Sequence, residues 1–206
     1  MIQLNNIGKR YRFEWIFRQV NQHFEAGKKY AILGPNGSGK STLLQILSGH
    51  LSPSEGTIDF YFSDKKAERD DIFRQVSIAG PYMDVIEEFT LMESLRFHRQ
   101  FKPYIGGLQP NDLIDILNFS KSKHKEVRFF SSGMKQRLKL VLAICSDTPL
   151  LLLDEPTTNL DAQGVAWYRN LIQQYAQNRT LIIASNIEHD YDFCEASVNN
   201  LDFKKR

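Results

Sequence analysis

From Tyr30 to Leu47 the chain passes from an apolar run, Tyr30-Ala31-Ile32-Leu33, through a glycine-rich turn into Leu43-Leu44-Gln45-Ile46-Leu47. The turn reads Gly34-Pro35-Asn36-Gly37-Ser38-Gly39-Lys40-Ser41-Thr42 and matches G-x-x-x-x-G-K-[ST], the pattern of a phosphate-binding loop. Strand, turn and helix in that order constrain the fold more than any other feature. Glycines let the backbone bend so that several N–H groups aim at one anion, and the helix adds its positive N-terminal end. Lys40 is expected to reach the β- and γ-phosphates of a nucleoside triphosphate, and Ser41 to offer its hydroxyl to Mg²⁺. A glycine-rich surface turn before an ordinary helix is the plainer alternative; the flanking strand and helix weigh against it.

A chain of 206 residues with 42% hydrophobic and 24% charged residues suits one soluble globular domain with subdomains. A formal net charge of +2 does not argue for nucleic acid, and the densest basic run, Lys121-Ser122-Lys123-His124-Lys125, reads as a solvated face. Cys145 and Cys194 lack CxxC spacing and read as reduced, buried thiols of a cytosolic protein. No signal peptide is expected at the N-terminus. No apolar run approaches the roughly 18–20 residues of a membrane span, so any membrane role is expected to run through a partner chain.

Residues 1–30 carry short strand-like pieces and a turn at Ala26-Gly27, and Thr57 to Phe62 reads as a strand after the turn Ser52-Pro53-Ser54-Glu55-Gly56. Helical periodicity governs about 90–145. Pro110-Asn111-Asp112 opens a helix with Leu113, Ile114 and Leu117 on one face, and Leu138, Val141, Leu142 and Cys145 mark another that Pro149 is expected to stop. Leu150 to Leu153 and Thr180 to Ala184 read as buried strands, with a helix marked by Val165, Tyr168, Leu171, Ile172 and Tyr175 between them. Apolar strands alternating with helices predict an α/β fold with a parallel sheet covered on both faces.

Two further motifs narrow the chemistry. The strand Leu150-Leu151-Leu152-Leu153 ends in Asp154-Glu155, where open α/β sheets place their ligand chemistry. Asp154 can hold the Mg²⁺ shell and Glu155 can orient or deprotonate an attacking water; two solvated acids capping a buried strand are the alternative. Phe130-Ser131-Ser132-Gly133-Met134 sits at the start of a helix, 20 residues before Asp154 as counted from Met134. A helix start with small residues can receive a phosphate. One helix cannot easily face its own phosphate loop, so its natural use is against a second subunit.

In order and spacing these motifs resemble those of the ATP-binding-cassette (ABC) ATPases over essentially the whole chain. GPNGSGKST resembles that family's Walker A loop, and LLLLDEP its Walker B strand with the catalytic glutamate at Glu155. FSSGM stands where the signature LSGGQ belongs, so that Ser131 and Gly133 fall nearest the phosphate contact, and Thr158-Asn159-Leu160-Asp161 resembles the D-loop. Tyr11 stands where the family places an aromatic that stacks on adenine; an ordinary packed tyrosine is the alternative.

Three departures stand out. Ser132 and Met134 replace a glycine and the glutamine of the signature. Asn186, 32 residues after Asp154, occupies the place of the switch histidine. It can hydrogen-bond the γ-phosphate but carries no titratable proton. His189 could substitute, although an exposed helix histidine is the plainer reading. No glutamine stands near Pro81, where the family has its Q-loop; Asp84, Glu87 and Glu88 are the candidates to compensate.

The resemblance implies a P-loop NTPase core of the ABC type, with a parallel core sheet, an antiparallel β region near the N-terminus and a helical subdomain at roughly 82–145, all in one domain. It implies ATP and Mg²⁺ as cofactors and a homo- or heterodimer with ATP sandwiched between subunits. The chain would then hydrolyse ATP to drive a separate integral membrane permease, as a cytoplasmic protein peripheral to the membrane and without nucleic acid. Alternatives are a regulatory or assembly module that hydrolyses ATP slowly, and a soluble ABC ATPase outside transport.

Overall fold

The computed structural model describes residues 1–63 and 65–203. The first strands are longer than the short pieces expected. β1 (Ile2–Tyr11) and β2 (Glu14–Phe24) form an antiparallel hairpin, because Ile2, Leu4, Ile7, Phe17, Val20 and Phe24 all turn one face inward. The Ala26-Gly27 turn then leads into β3 (Lys29–Leu33) and α1 (Lys40–Leu47), with the phosphate loop between them. β4 (Glu55–Phe62) starts two residues before Thr57, so Glu55 and Gly56 belong to the strand and not to the turn. Gly56 takes φ +81°, and a Cβ there would sit 2.2 Å from the Asn6 carbonyl oxygen. β5 (Lys65–Lys66) completes an antiparallel sheet in the order β2-β1-β4-β5.

A short α2 (Ile72–Gln75) precedes β6 (Val76–Ala79). After the helical segments come β7 (Leu150–Asp154), β8 (Thr180–Ala184) and β9 (Ala196–Asn199). With β3 they make a five-stranded sheet in the order β6-β7-β8-β3-β9, in which β3, β7, β8 and β9 pair in parallel. All five residues of β7 and of β8 are buried, which is why their sequences run apolar without alternation except at Asp154 and Thr180. Leu43, Leu44, Ile46 and Leu47 of α1 join Ile32, Leu150, Leu152 and Ile182 in the core.

The chain divides into two compact units, one of residues 1–78, 149–155 and 178–206, the other of 79–148 and 156–177. The second unit is helical: α3 (Leu91–Phe101), α4 (Pro110–Leu117), α5 (Ser132–Ile144) and α6 (Ala162–Tyr175). Thr90 and Glu93 start α3 with a reciprocal capping box, and Pro110 opens α4, whose Leu113, Ile114 and Leu117 are buried as their spacing predicts. α5 ends before Pro149 is reached. The Ser146 hydroxyl donates to the Leu142 carbonyl (2.6 Å), and the Asp147 N–H leaves the helix for the Pro103 carbonyl (2.8 Å), so side-chain and loop partners end the helix early. Among the described residues no helix is long and apolar enough to cross a membrane.

Within the helical unit His98 stacks on Tyr104, and its Nε2 lies 2.8 Å from the Ser146 hydroxyl. Burial, aided by the charge of Lys102, pushes the imidazole down to about 4. The unfolded chain, with an ordinary imidazole near 6.5, therefore binds more protons than the folded one between those values. Urea stability is predicted to fall as the pH is lowered from about 6.5 towards 4. His98→Phe keeps a ring on Tyr104 without a titrating nitrogen and should flatten that part of the pH profile in urea titrations.

Candidate nucleotide-binding site

The phosphate loop bends at residues that need positive φ: Gly34 at 144°, Gly37 at 75° and Gly39, the N-cap of α1, at 95°. Glycine meets these angles without a Cβ penalty. At Gly34 a Cβ would lie 2.7 Å from the Ser38 hydroxyl, so the loop is also closely packed on itself. The Ser38 N–H donates to the Pro35 carbonyl (3.0 Å) and the Leu43 N–H to that of Gly39 (2.9 Å). The N–H groups of the first turn of α1 have no preceding turn to donate to, which leaves an electropositive helix end at the loop. Lys40 is 5% exposed, and its Nζ donates to the carbonyls of Gly34 (2.7 Å) and Pro35 (3.3 Å). The ammonium thus rests on its own loop through neutral acceptors, which a phosphate can outcompete by charge. Pro35 and Asn36 are exposed, and Ser41 and Thr42 half-buried.

β7 delivers Asp154 to the same unit. Its carboxylate is 1% exposed and neither oxygen has a hydrogen-bond partner at ordinary geometry. Burial pushes the carboxyl up to about 6; the Ser41 hydroxyl and the Lys40 charge favour ionisation, while Glu155 opposes it. A buried carboxylate with a serine hydroxyl beside it is an all-oxygen donor set of the kind Mg²⁺ takes. Asp154 and Ser41 are therefore the residues that would hold the ion, which neutralises phosphate charge when bound.

Glu155 follows with φ 45°, in the left-handed region rare for a side-chain residue. Its N–H donates to the Ala184 carbonyl (2.8 Å) at the end of β8, which holds the turn. Strained backbone of this kind is retained where it aims a side chain. β8 continues into Ser185, whose hydroxyl donates to the fully buried Asp190 carboxylate (2.5 Å) and accepts from the Ile187 N–H (3.0 Å). That clamp sets the position of Asn186, whose Nδ2 donates to Asn36 Oδ1 of the phosphate loop at 3.0 Å. His189 is exposed in a short 3₁₀ turn, 3.8 Å from Asp190. Phosphate loop, Asp154, Glu155 and Asn186 thus belong to one unit.

Ser131, Gly133 and Asp161 belong to the helical unit. Ser131 is the N-cap of α5 and accepts from the Met134 N–H (3.3 Å); Asp161 is the N-cap of α6 and accepts from the Gly164 N–H (2.7 Å). Both side chains therefore preorganise helix starts. Among the acids considered for the missing glutamine, Glu87 pairs with Lys135 of α5, while Asp84 and Glu88 are exposed. Tyr11, at the end of β1, is 49% exposed with the Lys9 ammonium 5.2 Å above its ring. It is not the packed tyrosine of the plainer reading. Cys145 is buried and Cys194 only half-buried, and neither is in a disulfide.

A family model described as ABC transporter matches residues 17–158. The chain belongs to the ABC transporter family. It is 34% identical over 203 residues to the lantibiotic transport ATP-binding protein SrtF of Streptococcus pyogenes, covering 94% of this chain and 85% of SrtF. It is 30% identical over 189 residues to the ABC transporter ATP-binding protein YcbN of Bacillus subtilis (strain 168), covering 91% of this chain but only 62% of YcbN. A dimeric ATP-binding cassette in a post-hydrolysis state bound to ADP and Pi superposes with a TM-score of 0.83 at 22% identity, over 97% of this chain and 94% of that one. The fold is therefore that of an ABC ATPase cassette: a parallel P-loop core, an antiparallel sheet and helices.

Sequence reasoning did not find the Ser185–Asp190 clamp or Asn200, a fully buried residue whose amide reaches the phosphate loop. Asp154 sets the prediction of this site. A carboxyl whose folded value is raised stabilises the fold below its unfolded value and loses that contribution as pH rises through about 6. Asp154→Asn should accordingly raise the melting temperature of the nucleotide-free protein at pH 8 by a few degrees. The same variant should lose the Mg²⁺-dependent part of ATP binding in calorimetric titrations.

Proposed function

We propose that this chain is the ATP-binding and ATP-hydrolysing subunit of a membrane transporter and works through a separate permease chain. The observation that carries the reading is the set of groups in one unit: a glycine-bent phosphate loop with Lys40, a buried partnerless Asp154, and Glu155 beside it. Lys40 exchanges its loop carbonyls for the phosphate oxygens. Asp154 and Ser41 would hold the Mg²⁺ that accompanies ATP. Glu155 accepts a proton from water as the water oxygen bonds to the γ-phosphorus and the bond to the β,γ-bridging oxygen breaks, releasing ADP and phosphate. Asn186 donates its amide to the γ-phosphate in place of Asn36 Oδ1.

Transport by a permease partner is supported by the family and by the name of SrtF, a lantibiotic transport protein. The ATP is sandwiched by two cassettes, with Ser131 and Gly133 of one facing the phosphate loop of the other and Asp161 near the junction. The dimeric state of the structural neighbour is in keeping with this arrangement. Tyr11 is exposed as a stacking surface for adenine must be. The chain works on the cytoplasmic face of the membrane, peripherally.

Slow turnover is the second reading, and Asn186 favours it: an amide donates a hydrogen bond to the transition state but cannot shuttle a proton. Losing one preorganised donor in such a site costs about 10²–10³ in rate. Asn186→Ala should lower turnover at saturating ATP by about tenfold or more, with ATP affinity little changed, whereas Asn186→His should preserve or raise it and His189→Ala should be nearly silent. Glu155→Gln should stop turnover and move the protein from monomer to dimer in size-exclusion chromatography with ATP. Persistent turnover in Glu155→Gln would remove Glu155 from the chemistry.

A further inference from the structure

Asn200 lies near the end of the described chain, at the start of the 3₁₀ turn Asn200–Phe203 that follows β9. The Asn199 side chain accepts the Leu201 N–H (3.1 Å) and shapes this turn, and Asn200 is fully buried, in the same unit as the phosphate loop. Its Nδ2 donates to the Ser38 carbonyl, 162 positions away in sequence, while its Oδ1 has no partner. A carbonyl accepts only from a donor, so the amide orientation is fixed by the bond itself.

Burying half an amide unsatisfied is costly, and a leucine of similar size would avoid that cost. Core packing therefore does not account for this residue; the bond to Ser38 does. The chain contains no cis peptide among its described residues. In a trans peptide the C=O of one residue and the N–H of the next point in opposite directions. With the Ser38 carbonyl drawn to Asn200, the Gly39 N–H points away from it. Gly39 is also closely packed on the Asn200 side: a Cβ there would meet Ile16 Cγ2 at 2.5 Å, Phe17 Cδ1 at 3.0 Å and Asn200 Nδ2 at 3.3 Å. The Gly39 N–H is thereby aimed away from the packed Asn200 side.

We propose that Asn200 is a positioning residue of the phosphate loop, whose amide locks the Ser38–Gly39 peptide so that the Gly39 N–H faces the bound phosphate. The inference rests on the phosphate loop binding ATP, as set out above. Asn200 touches the loop and not the reacting atoms. Its effect falls equally on ground and transition states, and so on affinity and not on the chemical step.

The test is ATP affinity by calorimetry together with turnover at saturating ATP, in the wild-type chain, Asn200→Leu and Asn200→Asp, with folding checked by circular dichroism at the assay temperature. Asn200→Leu should weaken ATP binding about tenfold, the scale of one lost hydrogen bond in a buried site, with saturated turnover within about twofold of wild type. Asn200→Asp presents an ionised acceptor to the Ser38 carbonyl at pH 8 and should bind at least as poorly. A merely structural role would lower the active fraction and hence turnover, with the affinity of the folded protein unchanged, and that result would overturn the inference. Unchanged affinity in both folded variants would overturn it as well. Failure of both variants to fold would assign Asn200 to the core and not to the loop. If the wild-type chain itself binds no ATP, the functional reading fails and this inference with it; if wild type binds and the variants bind equally, the inference alone fails.

Discussion

The site depends on one costly placement: a carboxylate at the tip of a strand with no exposed residue. β7 carries four leucines into the core and ends on Asp154, which is 1% exposed and has no hydrogen-bond partner at ordinary geometry. Desolvation, joined by the charge of Glu155, raises the carboxyl towards neutrality, a cost that a bound cation would relieve. The apolar bodies of β7 and β8 make the position rigid. Parallel pairing of Asp154 with Ala184 then places the loops after the two strands side by side.

Around that carboxylate the loops are fixed by single, identifiable bonds. The Glu155 N–H to the Ala184 carbonyl holds a left-handed turn, and Ser185 with buried Asp190 holds the segment that carries Asn186. Asn186 in turn bonds to Asn36 of the phosphate loop, and Lys40 bonds to the loop's own carbonyls. Each of these partners is neutral, and each occupies a donor that a triphosphate would claim. The side chains of the site are thus held by hydrogen bonds within the chain, and such preorganisation lowers the entropy lost on binding.

Much of this was legible in the residue order because it is local. Gly34, Gly37 and Gly39 adopt positive φ where the motif requires it, and the continuous apolar runs Leu150–Leu153 and Thr180–Ala184 are strands buried on both faces. Misreadings arose where partners are distant or compete. Pro149 was the only visible stop for α5, yet Ser146 and the Pro103 carbonyl end that helix earlier. Gly56 read as a turn residue, but it lies within β4 because the Asn6 backbone passes too close for any side chain. Tyr11 could be core or surface by composition, and only the end of the hairpin decides that it is exposed. Asn200 carries no motif at all, since its partner lies 162 residues away.

The central claim is that the glycine-bent loop with Lys40 is a nucleoside-triphosphate site. Calorimetric titration of ATP with Mg²⁺ into the wild-type chain and into Lys40→Ala tests it most directly. Lys40 exchanges neutral carbonyls for phosphate charge, so the account predicts saturable binding to wild type and no measurable heat of binding in a folded Lys40→Ala protein. Equal affinity in the two proteins would contradict it.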